Sequence, residues 1–278
     1  MPMDNHFFTN RSGLRLHFLR WGLLDGVPVI LLHGLRAYAQ TWEPLATALG
    51  DDFCCYALDQ RGRGLSDWAE PSSYRTESYV QDLEDLVAHL GLGKFVLVGH
   101  SLGGANALEY ARQHPGRLRG LVIEDIGPGS SSTSAGAERI RRDMRETPLW
   151  FADWSEAERF WRRFRPGLSE QEMAYAMRET ADGIAWRHDQ QGIAEARLNI
   201  TPTDLWPAVR ALSCPTLFIR GGRSDFLPSD TMAAMSEANS HIRTVEVADA
   251  SHCVHDDQRE NFNAVVVAYL AGLLERQP

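Results

Sequence analysis

Residues Val96 to Gly104 read VLVGHSLGG. Inside this stretch, Gly99-His100-Ser101-Leu102-Gly103 is a G-x-S-x-G pattern. Five residues of that kind are common, but their setting here is not. Phe95 to Val98 (FVLV) is an uninterrupted apolar run of strand length, and Leu102 to His114 continues with a helical pattern. A serine between a buried strand and a helix sits on a turn so tight that only small residues fit beside it. Its hydroxyl then projects above the sheet at a helix N-terminus, where the dipole favours developing negative charge. The plainer reading is a glycine-rich strand–helix turn with an idle serine. It is disfavoured because partners for the serine stand further along the chain.

Outward from this turn, short apolar runs alternate with amphipathic stretches. Val27 to Leu32 (VPVILL), Phe53 to Leu58 (FCCYAL), Phe95 to Val98, Leu121 to Ile123 (LVI) and Thr216 to Ile219 (TLFI) read as strands. Near-continuous apolar strands are buried on both faces, as in a parallel sheet covered by helices. Arg15 to Trp21 (RLHFLRW) alternates and reads as an antiparallel edge strand. Tyr79, Leu83, Leu86, Val87 and Leu90 form one apolar helical face, closed by Gly91. Phe262, Val265, Val266, Tyr269, Leu270 and Leu273 repeat the pattern near the C-terminus. Strand and helix in alternation predict an α/β fold, a mostly parallel, doubly wound sheet flanked by helices.

Residues 127–206 break this rhythm and show no convincing strand. They open on a flexible run, GPGSSSTSAG, and carry capping-box spacing at Ser155 with Glu158 and at Ser169 with Glu172. Tryptophan and arginine are dense here: Trp150, Trp154, Trp161, Arg162, Arg163, Arg165, Trp186 and Arg187. This reads as a helical lid inserted between two strands. Residues 1–126 and 207–278 then form the core.

A hydroxyl needs a base to become a nucleophile near neutral pH. Of ten histidines, His252 lies just after a β-like run, Thr244 to Val247, and just before the last helix. It is the expected base, with His255 as its rival. His100 and His33 read as supports of the motif turns. The imidazole must be held in one tautomer by an acid. Asp225, in RGGRSDFLP, and Asp125, in VIEDIGP, both fall in the chain order serine, acid, histidine. Asp225 is the preferred candidate and Asp125 the alternative. Two backbone N–H groups should receive the tetrahedral oxyanion. Leu102 follows the nucleophile, and Leu35 lies in the turn after Val27 to Leu32.

HGL at 33–35, DQRGRGLSD at 59–67, VGHSLGG at 98–104, the Asp225 loop and SHCVHDD at 251–257 resemble the α/β-hydrolase fold family. The likeness covers nearly the whole chain, strongly in the core and weakly in the lid. It implies a lid-bearing serine hydrolase with Ser101, Asp225 and His252 as the triad and no metal or organic cofactor. Serine at position 101 departs from relatives that form an ester through a carboxylate. Arg63 stands where the family pattern more usually has histidine, and little catalytic consequence is expected from it.

Composition narrows the partners. A formal net charge of −9 with no basic run argues against nucleic acid. No stretch has the roughly 18 apolar residues of a membrane helix, and MPMDNHFFTN lacks the pattern of a signal peptide. Cys54, Cys55, Cys214 and Cys253 match no metal or redox spacing. A cytoplasmic enzyme with a small-molecule substrate is therefore expected. Carboxylic ester or lactone hydrolysis through an acyl-Ser101 is the first reading. Amide or hydrolytic carbon–carbon cleavage would use the same residues. A ligand receptor, or a lyase or cyclase using the pocket without hydrolysis, is the alternative of another class. Arg36, beside Leu35, is a candidate for a substrate carboxylate, against the plainer reading of a solvent-facing arginine. Trp150, Trp154, Trp161 and Trp186 are candidates for an aromatic pocket, or simply for the lid's own small core.

Overall fold

The five apolar runs are strands whose residues are almost wholly buried, because helices cover both faces of the sheet they form. The computed structural model describes residues 3–163 and 169–275; Arg165 lies outside them. Strands β1 (Asp4–Thr9), β2 (Arg15–Trp21), β3 (Val27–Leu32), β4 (Phe53–Leu58), β5 (Phe95–His100) and β6 (Leu118–Glu124) precede the insertion. Within it lie β7 (Trp150–Phe151), β8 (Met177–Thr180) and β9 (Gly183–Trp186), and after it come β10 (Thr216–Gly221) and β11 (Ile242–Val247). The large sheet has the order β1-β2-β4-β3-β5-β6-β10-β11. β2 pairs antiparallel with both β1 and β4, and every pairing from β4 onward is parallel.

The helices are α1 (Glu43–Leu49), α2 (Thr76–His89), α3 (Leu102–Gln113), α4 (Ala135–Glu146), α5 (Trp154–Arg162), α6 (Glu170–Ala176), α7 (Gln190–Asn199), α8 (Trp206–Ala211), α9 (Ser229–Ala238), α10 (Val254–Asp257) and α11 (Arg259–Leu274). One apolar cluster unites α2, α3 and α8 with one face of the sheet, through residues such as Leu83, Leu108, Phe95 and Val209. A second places Trp42, Leu45, Phe262 and Val266 against the other face. Each large side chain taken out of water in this way stabilises the fold by about 1.5–3 kcal/mol.

Three expectations need correction. Arg15 to Trp21 is antiparallel but not at the edge, because β1 pairs along its outer side. The insertion is not all helical: β7, β9 and β8 form a small antiparallel sheet. Its strands have four residues or fewer, too short for alternation to show. The first cap lies two residues earlier than expected. Asp153, not Ser155, accepts the Glu156 N–H at the start of α5. The box at Ser169 and Glu172 is formed as expected, in both directions.

Candidate active site

Strand β5 delivers Ser101 at the C-terminal rim of the sheet, where open α/β sheets bind their ligands. Its backbone adopts φ 52° and ψ −114°, a left-handed conformation that costs a non-glycine residue roughly 1–3 kcal/mol. The glycine beyond it permits the turn. A Cβ on Gly103 would lie 2.2 Å from the Leu32 carbonyl oxygen, so any side chain would push α3 off β3. Gly34 meets a similar limit, with His100 Nδ1 2.6 Å from where its Cβ would be. The 33–35 turn can therefore lie against the strand that carries the serine.

His252 Nε2 lies 2.9 Å from Ser101 Oγ, and its Nδ1 lies 2.7 Å from Asp125 Oδ2. Phe226 stacks on the imidazole, with ring centroids 4.0 Å apart and planes at 19°. Asp125 is fully buried and has φ 51°. Its Oδ1 accepts the Gly221 N–H at 3.1 Å, and Oδ2 also accepts from the Ser224 hydroxyl. The carboxylate is thus held from two sides and aimed at the histidine.

The expectation that Asp225 orients His252 is corrected. Asp225 forms a two-pronged pair with Arg139, both contacts at 2.9 Å, and its side chain is 37% exposed. The Arg139 guanidinium holds its carboxyl below the usual range. The cause is the loop after β10. It sends Ser224 inward to Asp125 and turns the next residue outward to α4.

His255 is not in contact with Ser101. Its Nδ1 lies 2.8 Å from both Glu124 oxygens, and its Nε2 lies 3.1 Å from Thr41 Oγ1. Burial would raise the Glu124 carboxyl, but His255 and His100 hold it below its ordinary value. His100 donates through Nε2 to the His252 carbonyl at 3.0 Å, and burial lowers its pKa to about 3. His100, Glu124 and His255 have ligand atoms within 4.8 Å of one another, the geometry of a possible metal trio. Glu124 is already engaged by the His255 ring and its backbone N–H. The trio therefore serves as an internal brace beneath His252. His33 is fully buried, with Nδ1 on the Gly34 carbonyl at 2.7 Å and Nε2 accepting from the Gln60 N–H. Burial lowers its pKa to about 4, so it is neutral and holds the 33–35 turn.

Leu35 and Leu102 line the same cavity of about 710 Å³ as Ser101 and His252. Arg63 bears on that turn: its Nε donates to the Leu35 carbonyl at 3.1 Å. Trp161 and Trp186 line the cavity and pack together with centroids 4.7 Å apart. Trp150 is 56% exposed, and Trp154 bonds Glu179; neither lines the cavity. Of the arginines expected in the lid, Arg163 reaches the cavity and Arg187 does not. Sequence reasoning missed most of the cationic wall, since Arg139, Arg142, Arg197 and Arg223 also line it. Arg36 lies 3.3 Å from Thr147 Oγ1 and 3.9 Å from Asp143. That aspartate is shared with Arg139 at 3.8 Å and Arg142 at 3.7 Å. Among the described residues, six arginines thus face three aspartates, Asp143, Asp225 and Asp256, in the cavity of a chain whose net charge is −9.

A serine, histidine and aspartate in one hydrogen-bonded line, on a strand–turn–helix of a mostly parallel sheet, define a hydrolase of the α/β class. The chain belongs to the alpha/beta hydrolase family, whose sequence profile matches residues 29–265. It is 28% identical over 265 residues to 2-(acetamidomethylene)succinate hydrolase of Mesorhizobium japonicum, covering 91% of each chain. It is 29% identical to N-formylmaleamate deformylase of Pseudomonas putida, covering 94% of this chain and 95% of that one. Among solved structures, an alpha/beta hydrolase from Novosphingobium aromaticivorans superposes with a TM-score of 0.81 at 33% identity, over 99% of both chains. None of the described helices is long and apolar enough to cross a membrane.

Proposed function

We propose that the chain is a serine hydrolase that cleaves a carboxylic ester or lactone of a small acidic molecule through an acyl-enzyme on Ser101. The observation that carries this reading is the line from Ser101 Oγ to His252 to Asp125, at 2.9 and 2.7 Å. With Nδ1–H donated to Asp125, Nε2 is free to take the serine proton as Oγ attacks the carbonyl carbon. The oxyanion forms against the Leu35 and Leu102 N–H groups. His252 then returns the proton to the leaving group, and water, activated by the same imidazole, releases the acid.

The acidic character of the substrate is supported by the surplus of cavity arginines. Burial lowers the Arg36 pKa, and the nearby Asp143 only partly opposes this. A guanidinium whose charge is so poorly offset gains a partner when a carboxylate arrives. The two relatives act, by name, on a succinate derivative and a maleamate. Those names describe amide chemistry, which favours amide cleavage as the second reading. Residues 127–206 act as the lid, since the cavity lies between them and the core. Cytoplasmic location is part of the proposal.

Matched esters and amides, each in acidic and neutral forms, test the reading. Turnover that requires Ser101 and favours the acidic forms supports it. Ser101-independent turnover, or preference for the neutral forms, overturns it.

A further inference from the structure

A second cavity, of about 260 Å³, adjoins the first. The two share Leu35, Leu102, Thr76, Pro202, Thr203 and Arg197 as walls. Its distinguishing feature is a pair of guanidinium groups, Arg63 and Arg197, that form no ion pair among the described residues.

Arg63 is fully buried. Nε donates to the Leu35 carbonyl, and Nη1 donates to the Arg61 carbonyl and the Tyr79 hydroxyl. The Tyr74 and Tyr79 rings lie 5.5 and 5.4 Å from its guanidinium carbon. Among the described residues Nη2 has no hydrogen-bond partner. Arg197, on α7, donates through Nη2 to the Ser131 carbonyl at 3.1 Å, and its buried Nε likewise has no partner among the described residues. Burial lowers the Arg197 pKa, and Arg141 adds repulsion. Among the described residues neither group forms an ion pair. Glu77, the one acid among the described residues of the cavity wall, is solvent-exposed, and Arg75 adds a further exposed cation.

A desolvated guanidinium with an unmet N–H is costly unless something else meets it. Carbonyls and aromatic faces offset part of the cost at Arg63. Arg197 has a single carbonyl. Two such groups on one cavity wall match a small oxyanion that accepts from both.

We propose that this second cavity is an anion subsite, in which Arg197 with Arg63 receives the distal carboxylate of the substrate while its scissile carbonyl lies over Ser101. Arg197, Leu35 and Leu102 wall both cavities, so the subsite adjoins the cavity that holds Ser101. The inference rests on the acidic-substrate reading above and adds to it the residue that selects the acid. The natural substrate is then a monoester, or monoamide, of a dicarboxylic acid.

The test uses the full chain with p-nitrophenyl hydrogen glutarate and its neutral methyl-ester analogue. The readout is the ratio of their kcat/KM values, acidic over neutral. The wild type should favour the acidic ester. In Arg197→Gln the ratio should fall at least tenfold through KM, with partial recovery in Arg197→Lys. A wild-type preference that survives in Arg197→Gln would overturn the subsite and leave the acidic reading standing. A wild-type ratio near one would overturn both. Inorganic phosphate separates the two sources of an anion. Phosphate that competes with the acidic ester, and no longer does so in Arg197→Gln, supports the subsite. Phosphate that changes neutral-ester turnover without competing would mark an independent anion site and overturn the assignment to substrate.

Discussion

Replacing Asp125 with asparagine changes few atoms and removes one charge. The carboxylate is fully buried, and its Oδ2 lies 2.7 Å from His252 Nδ1. Two losses follow. The imidazolium formed during attack loses its partner; at about 4 Å and an effective dielectric near 20, that interaction is about 4 kcal/mol. The asparagine amide can also donate to Nδ1, which moves the ring proton to Nε2, where it blocks uptake of the serine proton. Together these match the ~10⁴-fold loss in kcat expected when a triad acid becomes an amide, or about 5.5 kcal/mol. Asp225→Asn breaks a pair with Arg139 at a position 37% exposed. Exposed pairs contribute at most about 1 kcal/mol, so kcat should change by less than about fivefold. The assay is steady-state hydrolysis of an activated ester by both variants, with thermal melting to confirm folding. A severe loss in Asp225→Asn beside a mild one in Asp125→Asn would show that Asp225, not Asp125, orients His252.

Gly103→Ala should destabilise the chain by more than about 2 kcal/mol, because its Cβ would meet the Leu32 carbonyl oxygen at 2.2 Å; urea melts that match the wild type would contradict the packing. Stability should fall as pH drops below about 6.5. Burial lowers His33 to about 4 and His100 and His188 to about 3, so the unfolded chain binds protons there that the folded chain does not. For His33 alone the loss approaches roughly 3 kcal/mol as pH reaches 4; a urea midpoint at pH 5 equal to that at pH 7.5 would argue against it. Phe226→Ala removes the ring stacked on His252 and should lower kcat about tenfold, on the scale of a misplaced general base, with KM little changed. A loss confined to KM would instead make Phe226 a substrate contact.

Much of the fold and of the site is legible in the sequence. The strands of the parallel sheet announce themselves because burial on both faces leaves no room for polar residues. Ser101 is legible because its geometry is local: a glycine that can approach the neighbouring strand must stand close beside it in sequence. His252 follows from its place between the last strand and the last helix. The acid is different. β6 and β10 are neighbours in the sheet, with Ile219 opposite Glu124, so each loop carries an aspartate to the same rim. The left-handed backbone at Asp125 and the Ser224 contact decide between them, and both are tertiary facts. The insertion's strands stay hidden because four residues carry no period. Its tryptophans divide between cavity and surface by which way short elements pack. The cationic wall comes from separate segments, 36, 139–142, 163, 197 and 223, that only the fold brings together.

The claim on which the rest depends is that His252 activates Ser101 and no other hydroxyl. Treating the full chain with a fluorophosphonate and mapping the adduct by peptide mass spectrometry tests it directly. One phosphonylated peptide is expected, carrying the label on Ser101, with labelling lost in Ser101→Ala and sharply slowed in His252→Ala. An adduct on a different residue, or an unlabelled protein that still hydrolyses activated esters, would contradict it.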